Sequence, residues 1–239
     1  MPFSDKTTKQ INEYCLRDLP TDSWYSCEFD FVRDDLLRNR IIQEFKNARY
    51  IYKIFEGINS QNELLLAEVR IQILMYASIY EAVLHYVLFD EYYKENEKVQ
   101  ELLTQDICKP YSIPSQKLSK ISKELEHDGK KIIPYFKTTQ KRDITKIRFD
   151  EKCNVAKEIG LIHSFLPSDI GLRFDSESVG DVNFAAELIN IYEMRNAIHL
   201  QAELKKQIEY HLDASVIAYK RLRPFVDQIK KKLALDGKY

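Results

Sequence analysis

Arginine, asparagine and histidine occur together near the C-terminal end of one predicted helix. Arg195 and His199 are four residues apart, and Asn196 follows the arginine directly. In a helix this spacing places both side chains on the same side. Histidine titrates near neutral pH and can move a proton, whereas the fixed fork of arginine donors can hold phosphate oxygens. The three residues are therefore the first candidates for a functional site.

The same helix is apolar for two turns before these polar residues begin. Its two adjacent stripes are Phe184, Leu188, Ile191, Arg195, Ile198 and Ala185, Ile189, Tyr192, Asn196, His199. A guanidinium that continues an apolar face needs partners, because burying an unpaired charge is costly. The pattern predicts either a wet cleft or interface at this end of the helix, or a carboxylate opposite it. The alternative is an internal ion pair of Arg195 and a histidine packed inside a bundle.

A carboxylate in a second apolar helix is a suitable partner. Glu81 lies in a stripe with Leu74, Leu84 and Leu88, and Ser78 lies beside it. Because buried carboxylates are almost always paired, we predict that Glu81 pairs with or orients Arg195. Glu81 and Ser78 are thus candidate supporting residues. The alternative is that Glu81 reaches the solvent past the edge of its helix.

Basic residues form a local cluster, which is Lys130, Lys131, Lys137, Lys141, Arg142, Lys146, Arg148 and Lys152. Tyr135, Phe136 and Phe149 lie among them and could stack on bases. Candidate RNA-binding residues are therefore Lys137, Lys141, Arg142, Lys146 and Arg148. The alternative is a charged hairpin that simply faces solvent.

Hydrophobic periodicity predicts helices along most of the chain. The predicted helices cover 30–57, 60–93, 115–127, 150–162, 181–200 and 202–235. Gly57 is expected to end the first in a left-handed cap, and Ser60 with Glu63 to form a capping box for the second, most buried helix. Residues 1–28 are expected to form an irregular arm on the body. Alternating residues in 131–149, around a polar turn at 138–143, predict a small hairpin.

These elements predict an all-α fold, a helical bundle with an N-terminal extension and at most one small β-hairpin near 131–149. The expected division is 1–60, an arm and first long helix packed on the body, and 61–239, the bundle. Of the 239 residues, 44% are hydrophobic and 31% are charged, which is typical of a globular domain. A net charge of -1 gives no global attraction to nucleic acid or membranes, so any polyanion site must be local.

Several classes of protein are disfavoured by the absence of their motifs. The N-terminus lacks the features of a signal peptide, and charges interrupt the apolar stretches, so we expect a cytoplasmic protein that does not enter a membrane. The four cysteines have no metal-site or redox spacing. There is no Walker loop, dinucleotide turn, His-Glu-x-x-His motif or Gly-x-Ser-x-Gly elbow. We expect no cofactor and no metal.

The segment IYEMRNAIHL resembles the signature helix of the HEPN superfamily, which comprises helical bundles common in bacterial defence, toxin and RNA-processing systems. In that family an arginine, usually followed by a polar residue such as asparagine, is separated from a histidine by four to six intervening residues. Arg195, Asn196 and His199 match in type and order, with three intervening residues here. YASIYEAVLHYVL, with Ser78 and Glu81, resembles the early helix of several HEPN-like families. The resemblance covers about residues 61–235.

This resemblance implies a homodimer in which two Arg/His helices face each other across a composite cleft. Many members are metal-independent endoribonucleases, so Arg195, Asn196 and His199 would be catalytic and RNA the substrate. Two other readings stay open: a noncatalytic HEPN-like module that binds a nucleotide, RNA or a partner, and a structural helical dimer held by an internal Glu81–Arg195 pair. An open cleft at Arg195 favours the ribonuclease or the noncatalytic binding module. Full burial of Arg195 favours the structural dimer.

Overall fold

Helices make up most of the structure. The computed structural model describes residues 3–125, 135–167, 171–174, 180–197, 205, 210 and 212–239. Its longer helices are α1 (Asp5–Cys15), α2 (Asp22–Glu28), α3 (Asp35–Gly57), α4 (Glu63–Tyr86), α5 (Glu97–Leu102), α6 (Ser115–Glu124), α7 (Phe149–Glu158), α8 (Phe184–Asn196) and α9 (Ala214–Leu235). Two small antiparallel sheets pair β1 (Thr104–Pro110) with β2 (Tyr135–Lys141), and β3 (Phe165–Leu166) with β4 (Val182–Asn183). The predicted mainly α-helical fold class is confirmed.

The chain forms two compact units. The first unit comprises Met1–Glu95 together with Arg148–Tyr239, and the second comprises Asn96–Ile147. The N-terminal 60 residues belong to the same unit as the C-terminal helices. The second unit is inserted between α4 and α7 of the first.

Helix α4 is the central element of the first unit, and it packs against α3, α8 and α9. Its buried residues lie on most of its circumference, and Val69, Ile73, Val83 and Leu84 have no exposed surface. A π-helical segment, Val87–Tyr92, continues it to the predicted end. The stretch Glu63–Tyr92 is long and apolar enough to cross a membrane, but 61% of its most apolar window is buried within this fold. Such burial is that of a core helix.

The predicted capping box at Ser60 is wrong. Helix α4 begins at Glu63, and its N-cap is Asn62, which has a positive φ of 53° and no side-chain capping bond. The Ser60 hydroxyl instead donates to the carboxylate of Glu68, a residue of α4, at 3.3 Å. Asparagine tolerates the left-handed region better than most residues, so Asn62 can make the sharp change of direction from α3 into α4.

The N-terminal residues are helical, in contrast to the predicted irregular arm. Ser4 and Thr21 accept hydrogen bonds from Thr7 N and Trp24 N and so cap α1 and α2, as these residue types favour. Helix α1 packs on α3. Gly57 does not form the expected left-handed cap: it is the last residue of α3, and a Cβ there would lie 2.9 Å from the Tyr14 ring. Because a side chain at position 57 would collide with the Tyr14 ring, glycine suits this position.

Glu56 makes this contact between α1 and α3 sensitive to pH. Its carboxylate accepts hydrogen bonds from Tyr14, Tyr52 and Lys53, and these bonds, with that of Lys53 foremost, lower its pKa to about 2. A lowered pKa stabilises the fold above the unfolded value of 4.5, and this stabilisation is lost as the pH falls toward 2.

We therefore expect Glu56→Gln to lower the free energy of unfolding by about 1 kcal/mol at pH 7, a value reduced for solvent screening. Urea unfolding of both proteins at several pH values measures the difference. It should shrink between pH 4.5 and 2, and a difference that is constant across this range would contradict the assignment.

The small sheet of the second unit differs from the predicted hairpin. Strand β2 contains residues 138–141, which were expected to form the turn, and it pairs with β1, about 30 residues earlier. Ile144–Lys146 is a 3₁₀ turn rather than a strand, and Phe149 begins α7. Ile133, expected in the first strand, lies outside the described residues. The alternating pattern predicted a strand at the beginning of β2, but the strand extends through the predicted turn and its partner is distant in sequence.

The last two helices are shorter than predicted. Asn183 ends β4 and caps α8 by accepting from Ala186 N at 3.2 Å, so α8 begins at Phe184 rather than 181. Leu212 and Asp213 form a turn, and α9 begins at Ala214. The predicted helix 202–235 is thus interrupted at this turn, and most of its first ten residues lie outside the described part of the chain.

Candidate functional site

Arg195 and Glu81 form the predicted ion pair. Arg195 Nη2 lies 3.7 Å from Glu81 Oε2, which connects α8 to the central helix α4. The two side chains are 33% and 29% exposed. The pair is therefore neither fully buried, as a purely internal structural pair would be, nor free in solvent. One side of the guanidinium faces protein and the other faces solvent.

Tyr192 joins these two groups. Its hydroxyl donates to Glu81 Oε1 at 3.0 Å and accepts from Arg195 Nη1 at 3.0 Å. The Arg195 guanidinium carbon also lies 5.0 Å from the centre of the Tyr192 ring. Phe149 of α7 stacks on the same ring, with centroids 4.4 Å apart and an angle of 19° between the planes. The arginine is thus held by residues of α8 and α4, and Phe149 of α7 supports the Tyr192 ring.

Asn196 completes the immobilisation of the guanidinium. Its amide oxygen accepts a second hydrogen bond from Arg195 Nη1, at 3.2 Å. Within the described part of the chain, Arg195 Nε and Nη2 donate no hydrogen bond. A positioned arginine fork with unused donors and partial exposure is an arrangement that can bind an anion.

Lys152 is a member of this cluster that the sequence analysis assigned to the basic surface. Its side chain is only 4% exposed, and its Nζ lies 3.6 Å from Glu81 Oε1. Burial lowers the pKa of Lys152, and the charge of Glu81 opposes that shift. Lys152 shares the buried side of α7 with Phe149, Cys153 and Ala156, a spacing of three and four residues that could have revealed it.

The cluster contains two cations for one carboxylate. When Lys152 is protonated, Lys152, Arg195 and Glu81 together carry one excess positive charge. Burial raises the pKa of Tyr192, and the charge of Glu81 raises it further, so its phenol is neutral at pH 7. His85 lies one turn after Glu81 on α4, and burial followed by the charge of Lys152 lowers the pKa of its imidazole. The local electrostatics favour an anionic ligand.

The other predicted site residues are distributed differently. His199 lies outside the described residues. Ser78 does not join the cluster, because its hydroxyl donates to the backbone oxygen of Leu74 in its own helix at 2.8 Å. Within the described ranges, no three His, Cys, Asp or Glu side chains are grouped so as to hold a metal ion.

The predicted RNA-binding residues lie mostly in the second unit. Lys137 and Lys141 are exposed on β2, and Lys146 is exposed in the 3₁₀ turn. Arg142 follows β2, and its backbone N–H donates to Leu103 O at 2.7 Å. Arg148 belongs to the first unit, immediately before α7, and pairs with Asp150 at 2.9 Å.

On β2, Tyr135, Lys137 and Lys141 alternate along the strand and so share one face of the sheet. A tyrosine beside two lysines is suited to contact both bases and phosphates. This face is the part of the predicted basic cluster that the structure organises.

A second ion pair, deeper in the first unit, connects α8 to α9. Arg221 of α9 is fully buried, and its Nε donates to Glu187 of α8. Its Nη2 donates to Leu172 O at 2.8 Å and to Glu187 Oε1 at 3.2 Å. Glu187 lies two turns before Arg195, so this pair fixes the helix that presents the site.

We compared the chain with models of protein families, with curated proteins and with solved structures, and none matched. The HEPN resemblance therefore stays a prediction from the sequence.

Proposed function

We propose that this protein is a metal-independent endoribonuclease that acts at a dimeric cleft built around Arg195 and His199. The observation that carries the proposal is the state of Arg195, which Tyr192, Asn196 and Glu81 hold in place. Its side chain is 33% exposed, and within the described residues its Nε and Nη2 donate no hydrogen bond. The HEPN resemblance supplies the reaction. It also suggests a cytoplasmic role in bacterial defence or toxin function.

The proposed reaction uses the RNA itself as the nucleophile. The 2′-hydroxyl attacks the adjacent phosphorus, the bond to the 5′-oxygen breaks, and the products carry a 2′,3′-cyclic phosphate and a 5′-hydroxyl. The step needs proton transfer and stabilisation of charge on the phosphate. His199 would act as general acid or base, because its ordinary pKa lies near neutral pH. Arg195 would bind the phosphate oxygens, and Asn196 would orient the arginine or the histidine.

Glu81, Tyr192 and Lys152 are positioning residues in this proposal. The carboxylate and the phenol hold the arginine fork, and Lys152 supplies the excess positive charge that keeps the cluster attractive to a phosphate. A low-dielectric surrounding strengthens such fixed charges in the transition state. Ser78, which bonds to its own helix, has no role in the reaction here.

The second copy of the chain would dock on the exposed apolar stripe of α4. Leu64, Ile71 and Leu74 are 56%, 38% and 38% exposed, although they belong to the central helix of the fold. Their spacing places them on one side of α4, and the stripe continues through Ser78 to Glu81. A stripe of one helix can pack on the same stripe of a symmetry mate. Such a dimer would bring two copies of the arginine site near each other.

We expect Leu74→Glu to weaken this homodimer by roughly 30-fold or more, as for other residues at the centre of interfaces. Light scattering across a range of micromolar concentrations measures the mass. Leu235→Glu introduces the same change at an exposed residue at the end of α9 and should leave the dimer intact. A wild-type protein that is monomeric throughout, or a Leu74→Glu protein that dimerises like wild type, would contradict the proposed interface.

Basic residues outside the cleft would make separate contacts with RNA. Lys137 and Lys141, with Tyr135 on the same face of β2, are the best-organised contacts for this purpose. Arg142, Lys146 and Arg148 would add charge. Such contacts supply affinity that falls steeply with salt and carries no base preference of its own.

A noncatalytic HEPN-like binding or sensor module is the second candidate function. The same arginine fork could hold a nucleotide, RNA or a partner without cleaving anything, and the positive cluster supports binding regardless of reaction. The two functions differ in one observable, which is whether phosphodiester bonds are broken.

Incubating purified wild-type protein with total RNA in EDTA distinguishes them. The ribonuclease proposal expects defined fragments to accumulate in EDTA, and expects a His199→Ala preparation, purified identically, to give none beyond background. RNA binding without cleavage by the wild type would favour the sensor module. Equal cleavage by both preparations would indicate that a contaminating nuclease or another site is responsible.

A further inference from the structure

A second cleft in the first unit has features of a ligand site. It lies between α3, α4 and α9, and its volume is ≈ 350 Å³. We call it the tyrosine cleft, and its relevant lining residues are Arg49, Tyr52, Lys53, Gln72, Tyr219 and Lys220. Pockets that bind small molecules in proteins begin at about this size. None of these residues belongs to the cluster around Arg195.

Arg49 is the least expected side chain of the cleft. Its guanidinium carbon lies 5.4 Å from the centre of the Tyr52 ring and 4.9 Å from that of Tyr219. Within the described ranges it has no carboxylate partner, and its Nε is buried without an acceptor. Leaving a buried donor unpaired costs free energy, so such a group calls for an explanation. The two tyrosines fix the guanidinium in place but do not neutralise it.

The charge balance of the tyrosine cleft is strongly positive. Arg49, Lys53 and Lys220 line it with one carboxylate, Glu56. That carboxylate already accepts from Lys53 and two tyrosines, and its pKa of about 2 keeps it charged. Lys220 is exposed and, in the described part of the chain, forms no ion pair. Among the described residues that line the cleft, Arg49 and Lys220 are therefore left without a counter-charge.

We propose that the tyrosine cleft binds a small phosphate monoester that carries a flat ring, as a nucleoside monophosphate does. A monoester carries a charge of about −1.5 to −2 at pH 7, which matches the two uncompensated cations. The planar arginine fork can hold two phosphate oxygens, and Lys220 adds a point charge. The ring of the ligand contacts the tyrosine walls. Gln72 also lines the cleft, and its amide nitrogen donates to Ala48 O at 3.2 Å.

Calorimetric titration of the wild-type protein with AMP, GMP, CMP and UMP, and separately with adenosine and inorganic phosphate, tests this site. We expect at least one monophosphate to bind more tightly than adenosine or phosphate alone, because it uses both the cations and the rings. Arg49→Gln should weaken that binding by roughly 10- to 100-fold, the scale of a lost charge-assisted contact.

A second test variant and three controls keep the result interpretable. Lys220→Gln changes an exposed side chain, so the protein should still fold, and it should also weaken monophosphate binding. Arg223→Gln removes a neighbouring exposed cation of α9 and should leave monophosphate binding unchanged. Thermal unfolding checks that each variant is folded.

No binding of any monophosphate, binding of adenosine as tight as that of AMP, or unchanged affinity in both Arg49→Gln and Lys220→Gln would overturn the proposal. Arg195→Ala should leave this binding unchanged, which separates it from the proposed ribonuclease site.

Discussion

Replacing His199 by alanine is expected to slow RNA cleavage on the order of 10²–10⁴-fold, which is the usual contribution of one general acid or base. The loss should appear in the rate at saturating RNA rather than in affinity, since the phosphate contacts are kept. Initial rates on a labelled RNA, with wild type and variant at equal folded concentration, measure it. His163→Ala removes an exposed imidazole elsewhere in the first unit and should cleave at the wild-type rate.

The same account requires a loss of similar order for Arg195→Ala. Arginine stabilises charge that develops on the phosphate, and removing one such donor elsewhere costs on the order of 10²–10³-fold. Arg195→Lys should recover part of the rate, because it keeps the charge but loses the fork. Arg223→Ala, at an exposed arginine of α9, is the matched control. Wild-type rates in both His199→Ala and Arg195→Ala would eliminate this site as the catalytic one.

Removing the carboxylate of Glu187 is expected to give the largest loss of stability, about 3–5 kcal/mol in the free energy of unfolding. Glu187→Ala would leave the fully buried Arg221 without its counter-charge. The cost of an unpaired buried charge is far greater than that of losing an exposed ion pair. Urea unfolding followed by circular dichroism measures the change.

The double variant Glu187→Ala with Arg221→Met separates charge from packing. It removes both charges and keeps an apolar side chain in place of the buried arginine, so it should recover a large part of the lost stability. Lys9→Ala, which removes one partner of an exposed pair with Glu13, should change stability by less than about 1 kcal/mol. If Glu187→Ala costs no more than Lys9→Ala, the buried pair does not fix α8 as described.

The pairing of Glu81 with Arg195 could be predicted because each residue interrupts an otherwise apolar stripe. Two such interruptions on neighbouring core helices have few ways to avoid each other, since an unpaired buried charge is costly. The structure places them 3.7 Å apart. Tyr192 was visible in the same stripe as Asn196, but its hydroxyl position depends on how α8 packs on α4.

Lys152 shows where sequence reasoning was misled. It was grouped with the basic residues before it, whereas the turn of α7 directs it inward to Glu81. A run of charges predicts a solvent-facing surface only when no helical periodicity cuts across it. Phe149, Cys153 and Ala156 provide that periodicity here.

The small sheet and the N-terminal helices were predicted poorly for different reasons. Strand β2 pairs with β1 across an intervening helix, and alternation within a strand carries no information about so distant a partner. Helices α1 and α2 are short, and isolated helices of that length are marginal. Their packing in the fold, such as that of α1 on α3, stabilises them, and Ser4 and Thr21 cap their N-termini.

The most direct test of the central claim is the chemistry of the RNA ends. A synthetic RNA cut by the wild-type protein in EDTA should yield a 2′,3′-cyclic phosphate and a 5′-hydroxyl, and a matched RNA with a single 2′-deoxy sugar at the cleavage site should resist cutting there. Mass spectrometry of the products reads both results. Cleavage that needs a divalent metal, or that proceeds at the 2′-deoxy position, would contradict the proposed mechanism.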